Sequence, residues 1–386
     1  MKNTSIIIYG AYDRHNYGDL LFPLILKHKI ENEFKLKTII ASTSKSDLSN
    51  YGALPTIHLK EAIEKTKHQQ KTKLIIAGGE VLTANWESII GYISPKILYY
   101  PIKLVPKIIG PKYTSTISQK LTGISSSTPF IIGQDKYPGI EVFYNAVGGN
   151  EISRKANFIK KEIKSNLSNS TQITVRDLTT SAELKKLELQ HDLSPDCAVL
   201  ISEIYPNETA SQNQYIAFHI SAHHARGRIS EIAEQLIKIH ESTGHKIALL
   251  TIGKAPGHSD DAPLDKIHSR IPNISFRIKS GKIEDIIKCI SSSKAYCGSS
   301  LHGAITAMAY LVPQAALFPH KIIKLSSYLE TWSTEDSYVL TEASEISQKL
   351  LTLLNNFGDK EKSALRKNVL KLQSIANEKI HQILEM

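Results

Sequence analysis

The feature that most restricts how this chain can fold is the alternation of short, apolar runs with longer stretches of helical period. TSIIIYG near the N-terminus reads as a buried strand closed by Gly10, and an apolar helical stretch follows toward Ile30. Pro23 lies inside that stretch, so the helix starts late or kinks. KTII (residues 37–40) and KLIIAGG (residues 73–79) come next, followed by PFIIG, FYNAVGG and QITVRD. Strands spaced widely enough for helical crossovers predict a parallel α/β sheet.

The rhythm pauses after Pro195, and the polar stretch YPNETASQNQ (residues 205–214) is rich in turn formers. A second series then opens with YIAFHIS. Its next helix carries Ile229, Ile232, Ala233, Leu236 and Ile239 at helical spacing. KIALLTIG follows, then a helix with Ile283, Ile286, Ile287 and Ile290, the short strand AYCG, and a helix entered at His302. Leu365, Val369, Leu372, Ile375 and Ile380 predict a long amphipathic helix at the C-terminal end. A chain of 386 residues exceeds one ordinary core. The expectation is therefore two Rossmann-like domains facing a cleft, residues 1–208 and 209–386.

A net charge of +10 suits an anionic membrane surface or phosphorylated substrates. It argues less for nucleic acid, because the lysines are spread along the whole chain without a recognised binding motif. Three scattered cysteines, Cys197, Cys289 and Cys297, make neither a disulfide framework nor a zinc-type C-x-x-C pair, so no metal set and a reducing, cytoplasmic setting are expected. The opening MKNTSIIIYGAY is expected to be neither a signal peptide nor a membrane span. Residues 87–113 resist the α/β scheme: they are apolar and aromatic, yet broken by Pro95, Pro101 and Pro106 and studded with Lys96, Lys103 and Lys107. Two readings stand, a proline-punctuated core or loop segment and a membrane-surface contact through lysines at the inner face of the membrane.

In parallel sheets, ligands bind beyond the carboxyl ends of the strands. Five stretches fall there. In YGAYDRHNYGD, Asn16 can cap the next helix and Gly18 lets the backbone approach a ligand, while Asp19 either serves the helix dipole or acts as a base. In IIAGGEVL, Gly78 and Gly79 follow a buried strand. In ITVRDLTTSAELKKL, Arg176 is an anion ligand or an ion-pair partner of Asp177 or another carboxylate, and Thr180 with Glu183 forms a capping box. FHISAHHARGR crowds His223, His224, Arg226 and Arg228 into one loop, which is either a phosphate or carboxylate site or a solvated surface. In CGSSLHGA, Ser300, Leu301, His302 and Gly303 open a helix, where the histidine can bind an anion, pass a proton or only cap.

With these pieces in chain order, the sequence resembles the polysaccharide pyruvyltransferase family. The matching stretches are NYGDLL, IIAGGEVL, YNAVGG, ITVRDLTTSAELKKL followed by LSPDCAVLI, and SSLHGAITAMAYLVPQAAL. The resemblance implies a GT-B glycosyltransferase-like architecture and transfer of the pyruvyl group of phosphoenolpyruvate to two hydroxyls of one sugar, forming a ketal and releasing phosphate. It places the donor against Arg176, Leu301 and His302, with no cofactor beyond the donor substrate. The acceptor would be a saccharide of a capsule, exopolysaccharide or cell-wall polymer, free or lipid-linked. Two positions depart from the family pattern: Ser300 replaces an arginine and Glu80 a third glycine. Either Arg226, Arg228 or Lys324 then supplies the missing charge from elsewhere, or the donor or activity has changed. The assigned roles are His302 as acid or phosphate contact, Arg176 as anion clamp and Asp19 as base. The rival readings are a nucleotide-sugar glycosyltransferase of the same architecture and a catalytically silent saccharide-binding homologue.

Overall fold

In the computed structural model, the structure describes residues 4–94, 98–206, 215–255 and 259–386. Packing divides the chain into a first unit of Met1–His15, Asp19–Cys197 and Ala376–Met386 and a second of Asn16–Gly18 and Ala198–Ile375. The division thus falls at Cys197, ahead of the turn-rich stretch, most of which (residues 207–214) lies outside the described residues. The final helix, Asp359–Glu385, ends in the first unit instead of belonging wholly to the second.

The first unit holds β1 (Thr4–Tyr9), β2 (Thr38–Ser42), β3 (Ile57–His58), β4 (Lys71–Ala77), β5 (Ile140–Val147), β6 (Gln172–Val175) and β7 (Asp192–Leu193). They pair in the order β3-β2-β1-β4-β5-β6-β7, every pair parallel. Ile6, Ile7, Ile8, Leu74 and Ile76 are fully buried, which explains why β1 and β4 read as continuous apolar runs: helices cover both faces of the sheet. The second unit repeats the plan with β8 (Tyr215–His219), β9 (Lys246–Leu250), β10 (Ser275–Ile278), β11 (Ala295–Gly298), β12 (Gln314–Leu317) and β13 (Tyr338–Thr341). Their order is β10-β9-β8-β11-β12-β13, again all parallel. In both sheets the strand order reverses beside the first strand, between β1 and β4 and between β8 and β11. Those switch points are where neighbouring loops splay apart and leave a crevice.

Several local expectations need correction. The first helix, Tyr17–Glu33, does not start late but runs through Pro23; Asn16 caps it, its Oδ1 accepting from Gly18 N at 3.2 Å. PFIIG is not a strand. Phe130, Ile131 and Ile132 are buried as expected, but Ile132 satisfies its backbone through one side chain: its N–H donates to Tyr144 Oη, and that hydroxyl donates to Ile132 O, both at 2.9 Å. The capping box is also replaced: Asp177 caps the helix Leu178–Lys186, accepting from Thr180 N at 2.7 Å, while Glu183 accepts from Ser153 Oγ. The stretch around residues 87–113 forms the helices Trp86–Ile93, Tyr99–Ile109 and Pro111–Thr122, with Pro95 and Lys96 outside the described residues. No described helix is long and apolar enough to cross a membrane.

Lys73 interrupts the apolar run of β4 and is 2% exposed. Its Nζ donates to Ile383 O at 2.6 Å and Leu384 O at 2.9 Å, carbonyls that the last turn of a helix leaves without intrahelical partners. The negative end of the helix dipole offsets part of the cost of burying the ammonium, and burial lowers its pKa.

Replacing Tyr144 with Phe should leave the buried Ile132 N–H without its acceptor and cost about 1–3 kcal/mol. Urea unfolding of the variant against the parent measures this directly, and unchanged stability would remove Tyr144 as the anchor of the 129–133 loop.

Candidate functional site

At the first unit's switch point, β1 continues through Gly10 into Ala11, Tyr12, Asp13 and Arg14. A Cβ on Gly10 would sit 2.3 Å from Ala77 O, so only glycine lets the two strand ends converge here. Tyr12 Oη donates to the same carbonyl at 2.6 Å. Asp13 Oδ2 accepts from Thr43 Oγ1 at 2.6 Å and from Ser44 N at 3.0 Å, which fixes the loop after β2. Asp19 is 8% exposed and faces Arg14 at 3.7 Å. Its carboxylate is thereby paired with a cation rather than presented alone.

Arg176 follows β6 and is 1% exposed. Its guanidinium meets Glu80 Oε1 at 2.5 Å, Asp196 Oδ2 at 3.4 Å and Asp177 Oδ2 at 3.7 Å. Three carboxylates around one guanidinium leave no positive charge for an incoming anion. Of the two sequence readings, the ion-pair one describes these surroundings; the anion-clamp one does not. The carboxylate of Glu80, standing where the family pattern has glycine, also accepts from Asn150 N at 3.2 Å, so it ties the loops after β4 and β5 together. Gly148 makes room: a Cβ there would lie 2.7 Å from both Arg176 Nη2 and Glu80 Oε1. Gly78 and Gly79 shape this corner, with Gly79 O accepting from Gly148 N at 2.8 Å.

The second unit is arranged differently. Gly298 ends β11, Ser299 turns the chain, and Ser300 caps the helix Leu301–Ala309 by accepting from Gly303 N at 3.2 Å. Ser299 is held from beneath. Asp260 accepts from His219 Nε2 at 3.0 Å and from Gly253 N at 2.6 Å. With its proton on Nε2, His219 can accept from Ser299 Oγ at 3.4 Å, and that hydroxyl accepts in turn from Ser221 N at 3.0 Å. His219 and Asp260 are each 3% exposed, so the ends of β8 and β11 are joined by a buried polar chain.

His302 stands in the first turn of that helix, partly exposed. Asn16, Tyr17 and Gly18 pack beside it in the same unit. A Cβ on Gly18 would fall 1.8 Å from His302 Nδ1, and Tyr17 Oη lies 2.7 Å from Thr306 Oγ1, one turn along the helix. Asn16 also bridges to Gly253. Gly18 was expected to admit a ligand; it admits the His302 ring. The NYG and LHG motifs are thus two halves of one contact.

The basic loop continues outward from Ser221. Ser221 Oγ pairs with His224 Nδ1 at 2.8 Å, and the His224 ring stacks on Phe318, centroids 5.6 Å apart and planes at 18°. Phe318 follows β12, fully buried, with a left-handed φ of 58° that side chains other than glycine adopt at a cost. Arg228 lies over the same ring at 5.3 Å and Lys321 at 5.9 Å. Burial first, then the charges of His223, Lys321, Lys324 and His219, push the His224 imidazole down to about 4. Arg228 and Lys321 have no acidic partner among the described residues. Arg226 is exposed.

The second unit therefore brings Ser300, Leu301, His302 and Gly303 to the switch point, with His224 and Arg228 on the adjoining loop and Lys324 near enough to act on His224. Sequence reasoning missed His219, Asp260, Ser299, Phe318 and Lys321. The signal available was the second residue of FHIS and the aromatic and lysine after QAAL. Among the described residues no group of three or more His, Cys, Asp or Glu side chains is placed to hold a metal ion.

Among solved structures, the fold is similar to the UDP-GlcNAc 2-epimerase from Neisseria meningitidis bound to UDP-GlcNAc, with 8% identity, 99% of each chain covered and a TM-score of 0.58. It is also similar to the S. aureus MnaA structure with UDP, with 10% identity, 98% of this chain and 95% of that one covered and a TM-score of 0.53. At such identities the likeness concerns fold, and the fold is α/β with two Rossmann-like domains of the GT-B type. No curated protein matches the sequence. A family model described as polysaccharide pyruvyl transferase matches residues 16–317, from the NYG motif to the end of β12 and so well over half of the chain. The chain belongs to the polysaccharide pyruvyl transferase family.

Proposed function

We propose that this protein transfers the pyruvyl group of phosphoenolpyruvate to two hydroxyls of one sugar in a cell-surface polysaccharide or its precursor. The observation that carries this is the set of cations around Phe318, beside the helix that His302 enters. Phosphoenolpyruvate bears a phosphate and a carboxylate, so it needs concentrated positive charge. Arg228 and Lys321 supply charge that no described carboxylate consumes, and they take over from the arginine that Ser300 replaces. The N–H groups opening Leu301–Ala309 add donors of the same sign.

In this reading a proton passes to the methylene carbon of the donor, one sugar hydroxyl attacks the resulting oxocarbenium-like carbon, phosphate leaves with its electron pair, and the second hydroxyl closes the ketal. The two hydroxyl protons balance the proton consumed at carbon and the one released. His302 is the acid or the phosphate contact, with its ring oriented by the absence of a side chain on Gly18. Arg176 and Asp19, each paired with opposite charge, hold loops of the first unit. A saccharide acceptor follows from the family.

The nucleotide-sugar reading has in its favour that the two solved structures above carry UDP or a UDP-sugar, and a cation cluster takes a diphosphate as readily as a phosphate. Calorimetric titration with phosphoenolpyruvate and, separately, with UDP-sugars distinguishes them. Phosphoenolpyruvate should bind, and Arg228→Ala should weaken it by about 10- to 100-fold, the value of one charge-assisted contact. Binding of UDP-sugars alone would overturn the proposal, as would acceptor-dependent turnover without release of phosphate.

Gly18→Ala should displace the His302 ring while leaving the donor cations in place. The expected result is a fall in kcat of about 100-fold, the scale of a lost acid–base contribution, with donor affinity within a few fold of the parent. Equal kcat in the variant would separate His302 from the chemistry.

His224 offers a spectroscopic check. With its pKa held at about 4, the imidazole is neutral across the physiological range. A bound phosphate beside it should favour the charged form and raise that pKa, so donor affinity gains, with proton uptake, as pH falls through the bound-state value toward about 4. An NMR titration of the His224 ring protons with and without phosphoenolpyruvate reads the shift; no movement would place the donor elsewhere.

A further inference from the structure

Of the helices Tyr99–Ile109 and Pro111–Thr122, joined at Gly110, the second is amphipathic in the inverse of the usual sense. The buried residues of the second are Thr114, Ser115 and Ser118, whose hydroxyls are already satisfied by Gly110 O, Ser127 O and Thr114 O. Its outward stripe is apolar: Tyr113, Ile117 and Leu121, at i, i+4 and i+8, are 70%, 47% and 74% exposed. The first helix adds Leu104 and Ile108, 50% and 79% exposed. Of the eleven exposed large hydrophobic residues among those described, seven fall in residues 98–121, so the exposure is one patch rather than scatter.

Charge selects the occupant. Residues 88–134 contain five lysines and no aspartate or glutamate. Lys107, Lys112 and Lys120 are exposed on the same two helices. A second copy of the chain seated on this face would bring lysine against lysine. Apolar side chains at helical spacing flanked only by lysines fit the boundary between headgroups and acyl chains of an anionic bilayer. We propose that this helical pair docks the protein on an anionic lipid surface, with Ile108, Ile117 and Leu121 entering the interface and the lysines meeting acidic headgroups. The inference is independent of the donor chemistry proposed above.

The test is flotation of the full chain with vesicles of phosphatidylcholine alone and of phosphatidylcholine with phosphatidylglycerol. Binding is expected only to the anionic vesicles and should weaken with salt. An I108S/I117S/L121S variant should lose it. In a K107E/K112E/K120E variant each lysine removed should weaken partitioning about fivefold. Circular dichroism and phosphoenolpyruvate titration of both variants check that the fold and the second unit are intact. A third variant, K360E/K362E/K367E, alters exposed lysines elsewhere and separates this patch from the general positive charge; it should float close to the parent. Absence of parent binding to anionic vesicles would overturn the proposal. Equal loss in the third variant, or vesicle-free self-association abolished by the serine variant, would also overturn it.

Discussion

Everything functional in this protein rests on one constraint: a parallel strand buried on both faces cannot turn directly into its neighbour. Each must be followed by a crossover that returns to the same edge, so the carboxyl ends of all the strands collect on one side. In the second unit this puts His219, Gly298 and Leu317, ends of three adjacent strands, side by side. Residues more than 80 positions apart in sequence, such as His224 and Phe318, then become ring-stacking partners.

The two switch points treat charge in opposite ways. In the first unit each functional-looking charge is met by another: Asp19 by Arg14, and Arg176 by Glu80, Asp177 and Asp196. Breaking such a buried group is costly because the survivor is left uncompensated, so these residues make the loops after β4, β5 and β6 rigid. In the second unit two cations, Arg228 and Lys321, approach one aromatic ring, that of Phe318, whose quadrupole attracts them. The His224 pKa is lowered by burial first and then by neighbouring charges, Lys321 and Lys324 among them.

The departures from the family pattern fit this division. Glu80 enters the Arg176 cluster and draws that guanidinium into a structural role. Ser300 retains the helix cap but gives up a charge, and Arg228 and Lys321 stand on neighbouring loops of the same sheet edge. Substrate electrostatics depend on summed charge at a point in space, so an arginine can be exchanged for cations far away in the chain.

The sequence by itself determined the two α/β series, the positions of the long strands, the amphipathic final helix and the motifs around Gly18, Arg176 and His302, because these depend on local period and on residue type. Two-residue strands such as β3 and β7 carry too little pattern to be read. PFIIG has the composition of a strand, and only the reach of Tyr144 across the sheet decides that it is a loop. Tertiary structure alone decided that Gly18 serves His302, that Lys73 holds the end of the final helix, and that Arg176 meets three carboxylates while Arg228 meets none among the described residues. The reason is physical: burial and period are averages over near neighbours in sequence, whereas the charge state and orientation of a side chain are set by whichever atoms the fold brings within a few ångströms of it.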